Sequence, residues 1–315
     1  MDSLSKIQQN LDFKSVTTEP VSFAAFKNAG IHADVLRLDK IHSIISGNKW
    51  FKLKYHLLEA IRRKSPTVLT FGGAWSNHIV ASAWACKVAG IPSIGIIRGE
   101  QPLTYSDTLN AASDLDMQLV FVSREAYQAY TSQPGAMSDK FIDAQAIPRN
   151  ACIIPAGGAG GPGIKGASEI LELTDAPGYT HIACSIGTST MFAGLVQAAA
   201  IEQTIIGIPA LKGFHQNAEQ INAMIGRRSK HPNWHIADNY HFGGYARKTP
   251  ELIHFMNELY CQTGIETDFV YTGKLFFACS NLATQHFFPP GSRLLIIHSG
   301  GLQGNTSLSK NILQF

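Results

Sequence analysis

Pro66-Thr67-Val68-Leu69-Thr70-Phe71-Gly72-Gly73-Ala74-Trp75-Ser76-Asn77-His78 is the stretch whose reading decides the fold class. Its first six residues are mostly β-branched or apolar, as in a strand buried on both faces. Two glycines allow a sharp turn, and 79–88 is Ala-rich and apolar all round, the pattern of a buried helix. A strand running through a glycine turn into a helix is one βα unit. Working outward, strands are predicted at 33–38, 91–97, 119–122 and 152–155. The glycine-rich stretch 156–166 breaks regular structure and marks a crossing between lobes, after which the rhythm restarts. Strands at 181–186, 204–208 and 294–298 alternate with helices at 191–201, 218–229 and 250–263. This alternation specifies an α/β fold of two lobes, with the site between them.

Upstream lies Ser46-Gly47-Asn48-Lys49-Trp50-Phe51-Lys52-Leu53. A Gly-Asn pair favours a turn and positive φ. Leu53, Leu57, Leu58 and Ile61 recur at helical spacing, so a helix starts at or just after Lys49. Both the helix dipole and partial desolvation disfavour an ammonium at such a junction. Such an amine can bond an aldehyde cofactor. The plainer alternative is a solvated surface lysine, the fate of most of the 26 cationic side chains.

Composition narrows the function classes. The 315 residues are 45% hydrophobic and 16% charged, ordinary for a globular enzyme. A net charge of +3, with no basic block or aromatic-interleaved stripe, gives no nucleic-acid partner. No apolar run is long enough for a membrane span, and residues 1–20 are polar and mixed, without the apolar region of a signal peptide. The five cysteines are scattered and lack CxxC spacing, which reads as buried thiols in a reducing compartment. The expectation is a cytoplasmic protein.

Four constellations carry chemistry. Gly187-Thr188-Ser189-Thr190 joins a strand to a helix, where backbone amides and short hydroxyls suit a phosphate as well as a helix cap. Ser76-Asn77-His78 opens a helix and suits a substrate carboxylate, though Ser or Asn could equally cap it. His78 has no partner at i+3 or i+4 to build a metal site, and no metal is expected. Phe242-Gly243-Gly244-Tyr245 and Asp268-Phe269-Val270-Tyr271-Thr272-Gly273-Lys274 each present a tyrosine, a proton donor or stacking ring or merely packing. His298-Ser299-Gly300-Gly301 puts a hydroxyl after a strand end, where open α/β sheets bind ligands.

A lysine, a phosphate cradle, a carboxylate loop, tyrosines and a strand-end hydroxyl are the parts of a pyridoxal-phosphate site. Gly47-Asn48-Lys49-Trp50-Phe51-Lys52-Leu53 resembles the GNKxxKL signature of the 1-aminocyclopropane-1-carboxylate deaminase/D-cysteine desulfhydrase family. Residues 72–78, 270–274 and 298–301 resemble its GGxxSNH/Q, VYxGK and HTGG segments, and the motifs span about 36–304 in the family's order. The resemblance implies pyridoxal 5'-phosphate and the tryptophan-synthase-β-like fold, fold type II, each lobe a mostly parallel twisted sheet flanked by helices. It implies a small domain at 52–155, a large one from 1–51 and 156–315, and a homodimer.

By the same resemblance Lys49 bonds the cofactor and moves the proton, while Lys52 receives no covalent role. Asn77 holds the cofactor's 3′-oxygen, and Ser76, with Asn77 and His78, receives the substrate carboxylate. Gly187, Thr188, Ser189 and Thr190 hold the phosphate, although their order differs from the deaminase's Thr-Gly-Ser-Thr. Tyr245 and Tyr271 are the two active-site tyrosines. Cyclopropane deaminases carry Glu and Leu where this chain has Thr272 and Ser299; desulfhydrase-like members have small hydroxyl residues there. A hydroxyl beside the pyridine nitrogen supports a neutral ring, a weaker electron sink. The reading is therefore α,β-elimination of a small amino acid such as D-cysteine, with cyclopropane ring opening or a non-catalytic cofactor-binding protein as alternatives.

Overall fold

Residues 3–214, 218–226 and 233–315 are described by a computed structural model. In chain order the strands are β1 Thr18–Pro20, β2 His32–Leu36, β3 Val68–Gly72, β4 Ser93–Arg98 and β5 Met117–Val122. They continue as β6 Cys152–Ile154, β7 His181–Ile186, β8 Thr204–Pro209, β9 Asn233–Ile236 and β10 Arg293–Ile297. The chain divides into two units: Met1–Leu11, His42–Ile45 and Lys49–Gly163 form the first, and Asp12–Ile41, Ser46–Asn48 and Ile164–Phe315 the second.

The first unit holds a four-stranded sheet in the order β5-β4-β3-β6, parallel throughout. Its inner strands are buried on both faces, so they lack the polar alternation of a half-exposed strand. Leu69, Phe71, Ile94, Ile96 and Val120 fill one core cluster. Ile79, Ala83, Ile97, Leu109, Ala112 and Met117 fill another, beneath the Asn77–Ala89 helix. The N-terminal helix Ser3–Gln9 packs on the Lys49–Arg62 and Asn77–Ala89 helices, so it groups with this unit and not with the expected large domain.

The second unit holds a six-stranded sheet, β1-β2-β10-β7-β8-β9, in which only β1 runs antiparallel. β10, fully apolar from Leu294 to Ile297, lies between β2 and β7. Its parallel register aligns the carboxyl ends of β7, β8 and β10, which is where this unit's candidate residues emerge.

Several local expectations needed correction. The glycine-rich break contains a short 3-10 turn, Ala156–Gly158, and a helix, Gly161–Ser168. Packing explains that helix: a Cβ on Gly194 would stand 2.6 Å from the Ala167 Cβ and 2.8 Å from the Ile164 carbonyl oxygen. Glycine thus lets the Thr190–Ala198 helix touch its neighbour backbone to backbone. The helix expected at 218–229 spans Ala218–Ile225, and 227–229 lie outside the described residues. The Thr272–Thr284 helix and β9 were not anticipated. Among the described residues no helix is long and apolar enough to cross a membrane. Gly194→Ala is expected to cost about 1–3 kcal/mol through overpacking, measurable as a lower midpoint in chemical denaturation.

Candidate active site

In the first unit, Lys49 is the first residue of the Lys49–Arg62 helix and is half-buried. Lys52 and His56 follow at i+3 and i+7, hence on the same helix face. Both are buried, and burial pushes both down: Lys52 to about 7, helped by the Lys49 charge, and His56 below its ordinary range. His78, 3% exposed, is held well below its ordinary value by burial and then by Lys52 and Lys49. The Thr70 hydroxyl donates to the Ile154 carbonyl at 2.9 Å and stands 2.7 Å from His78 Nε2. Its proton being committed, Thr70 accepts from His78 Nε2–H, which leaves Nδ1 as the bare acceptor. This buried bond braces the ring through Nε2, while His78 Nδ1 is buried without a hydrogen-bond partner.

The Gly72–Ser76 turn keeps its predicted strand-to-helix place. Ser76 is the N-cap of the Asn77–Ala89 helix, but its hydroxyl makes no capping bond. Asn77 Oδ1 is buried without a hydrogen-bond partner. A buried amide end with nothing to bond is costly unless a ligand meets it, and a flip exchanges its donor and acceptor ends.

In the second unit the strand ends bring several predicted residues together. Gly187 follows β7, and a Cβ there would meet the Tyr271 ring at 3.4 Å. Ser189 sits in the left-handed region at φ 56°, its side chain does not cap the Thr190–Ala198 helix, and it and Thr190 are buried. Thr188 and Thr190 hydroxyls are 2.9 Å apart. Amides at a helix start among neutral hydroxyls match a phosphate. Ser299, just beyond β10, has its hydroxyl 3.2 Å from that of Ser185 in β7. Sequence reasoning missed Ser185; a lone hydroxyl in the apolar run Ile182 to Ile186 was the available signal.

The turn before Lys49 is fixed here as well. Gly47 has φ 65°, and a Cβ on it would lie 1.9 Å from the Ser299 carbonyl oxygen. The Asn48 amide donates to that oxygen at 3.3 Å, while its side chain donates to Met191 Sδ at 3.2 Å. Ser46 Oγ donates to the Asp39 carbonyl. Asp39 is gripped by Arg37 Nη2 at 2.7 Å and faces His298 Nδ1 at 3.2 Å. Burial works against the Asp39 charge, yet His298 and Arg37 outweigh it and hold the carboxyl below its ordinary range.

Tyr271 occupies the N-cap of the Thr272–Thr284 helix. Asp268, fully buried and unforeseen, builds that corner. Its carboxylate accepts from the amides of Val270, Tyr271 and Thr272, each at 2.9 Å, and from the Thr272 hydroxyl at 2.7 Å. Thr272 also accepts from the Asp268 amide, so its hydroxyl both donates to and accepts from Asp268. Burial pushes the Tyr271 hydroxyl well above its ordinary range, reinforced by Tyr245, which is hydrogen-bonded to it. The two rings meet edge to face, with centroids 6.1 Å apart. Tyr245 is 43% exposed.

A family model described as pyridoxal-phosphate dependent enzyme matches residues 27–300. A protein of Pyrococcus abyssi, provisionally named a 1-aminocyclopropane-1-carboxylate deaminase, is 27% identical over 306 residues, which cover 91% of this chain and 90% of the relative. A bifunctional D-cysteine desulfhydrase/1-aminocyclopropane-1-carboxylate deaminase of Arabidopsis thaliana is 27% identical over 284 residues, 82% of this chain and 70% of that one. Among solved structures an ACC deaminase homologue superposes with a TM-score of 0.78 at 22% identity, over 92% of this chain and 90% of that one, which establishes a common fold.

Two outcomes follow from the buried charges. Lys52 is pushed from 10.5 when unfolded to about 7, so between those values the unfolded chain binds more protons and stability rises with pH. Lys52→Met is therefore expected to stabilise the protein by about 4 kcal/mol at pH 7. Denaturation series at rising pH should show that gain vanish as the ordinary lysine value is passed. Asp268→Ala leaves three amides and a hydroxyl without their acceptor and is expected to cost about 3 kcal/mol or more, read by calorimetry.

Proposed function

Because this chain belongs to the pyridoxal-phosphate dependent enzymes, we propose that it catalyses an α,β-elimination on a small D-amino acid. D-cysteine is the leading substrate: with water it gives pyruvate, ammonia and hydrogen sulfide. The observation carrying the proposal is the Ser299–Ser185 hydroxyl pair at 3.2 Å, where a hydroxyl would face the cofactor's pyridine nitrogen. A hydroxyl partner suits an uncharged ring, adequate for an acidic Cα proton and less so for opening a cyclopropane. The hydroxyl of Thr272, already bound to Asp268, adds no charge to that choice.

When bound, pyridoxal phosphate supplies an aldehyde that takes up amines and a ring that withdraws electrons from the substrate's Cα. The residues present fit it. Lys49 would hold the cofactor through its side-chain amine, and as a free amine it would be the base that takes the Cα proton. Gly187, Thr188, Ser189 and Thr190 hold the phosphate through helix-start amides and buried hydroxyls. Asn77, whose amide end is buried without a partner, would meet the cofactor's ring oxygen. Ser76, its hydroxyl not spent on capping, receives the substrate carboxylate. Tyr271, kept protonated by burial and by Tyr245, can donate a proton toward the departing group. Residence in the cytoplasm and assembly as a homodimer belong to the same reading, and sedimentation of the purified protein checks the second.

The test is a panel of D-cysteine, L-cysteine, β-chloro-D-alanine and 1-aminocyclopropane-1-carboxylate, scored for sulfide, pyruvate and 2-oxobutanoate. Pyruvate and sulfide from D-cysteine are expected, with Lys49→Ala slower by about a thousandfold or more. Formation of 2-oxobutanoate from the cyclopropane substrate, with no sulfide from D-cysteine, would replace elimination by ring opening.

A further inference from the structure

Lys274 has no part in the chemistry above, yet it is 1% exposed. Its ammonium donates to three main-chain carbonyls: Gly244 at 2.7 Å, His241 at 2.9 Å and Ala210 at 3.4 Å. Asp268, on the same corner, favours its charge, against the burial that pushes Lys274 down to about 8. The carbonyls come from two places: the end of β8, at Ala210, and the turn that precedes Tyr245. That turn is conformationally expensive. Phe242, Gly243, Gly244 and Ala246 all have positive φ, at 50°, 91°, 122° and 52°, and two of these are not glycine. Such a backbone persists only where its surroundings over-determine it. Two main-chain bonds, Gly244 N–H to His241 O and Arg247 N–H to Gly244 O, close the turn from within. Lys274 closes it from below, through the same two carbonyls.

We infer that Lys274 is a positioning residue: its ammonium fastens the 241–246 turn to the end of β8 and so presents Tyr245 to Tyr271. The role of that presentation in turnover rests on the reading that the tyrosine pair faces the substrate. The fastening itself does not. Three carbonyl oxygens converging on one positive charge also make a site that a bare univalent cation can fill when the lysine is removed, whereas a bulky quaternary ammonium cannot.

Trypsin reads the fastening directly, because Arg247 and Lys248 are exposed immediately after the turn. In the holoenzyme, Lys274→Met is expected to be cut after Arg247 or Lys248 about tenfold faster than the parent, below the onset of global melting. Potassium chloride, but not choline chloride at equal ionic strength, is expected to slow that cutting again. Cutting at the parental rate would overturn the inference. Should the variant not fold, hydrogen exchange on the unaltered holoenzyme decides: Gly244 and Arg247 amides protected about tenfold over a free peptide support the tether, and unprotected amides overturn it. Kinetics separate the two readings. A raised KM in Lys274→Met supports Tyr245 at the substrate; fast cutting with unchanged KM and kcat keeps the tether and removes Tyr245 from the site.

Discussion

At Gly47 the backbone runs so close to Ser299 that no side chain fits between them: an added Cβ would sit 1.9 Å from a carbonyl oxygen. The contact is reciprocal, since a Cβ on Gly300 would meet Ser46 Oγ at 2.6 Å and the Gly47 nitrogen at 2.9 Å. Two glycine-bearing turns, far apart in sequence, are thereby pressed together at the ends of β2 and β10. Asn48 is anchored as a result, and Lys49 inherits its starting point from Asn48. The covalent chemistry proposed for Lys49 depends on that starting point, for an amine on a loose loop would sample many directions.

Around this contact, charge and hydrogen bonding do what apolar packing cannot. Arg37, Asp39 and His298 tie the segment after β2 to the turn after β10. Asp268 and Lys274, buried near one another, each spend their bonding capacity on main-chain groups, one on amides and one on carbonyls. Each therefore fixes the path of a loop that carries a tyrosine. Buried ionisable residues of this kind bring little net stability, but they select one loop conformation among several.

Much of this was legible in the chain. The units around 68–89 and 181–198 could be read because each couples an uninterrupted apolar strand to a glycine turn and a long helix. Lys49, Ser76, Asn77 and the 187–190 turn were visible as departures from that background. Other features were hidden for definite reasons. The Gly161–Ser168 helix has poor intrinsic propensity and is stabilised by close packing against Gly194, a tertiary effect. The pairing of Ser185 with Ser299 depends on β7 and β10 being neighbours, which no local pattern encodes. The place of Thr272 in the motif was legible, whereas the carboxylate four residues earlier that engages it was not weighed.

The place of β10 has a consequence for how the protein is made. Among the described strands β10 is the last in chain order, yet residues 293–297 form the rung between β2 and β7. Until they arrive, β2 lacks its inner neighbour, and the cradle at the end of β7 has no serine to face. The parallel sheet of β3 to β6 needs nothing beyond Gly163 and can mature while synthesis continues. Nascent chains should thus pass through a half-built stage in which the turn before Lys49 still lacks its contact with Ser299.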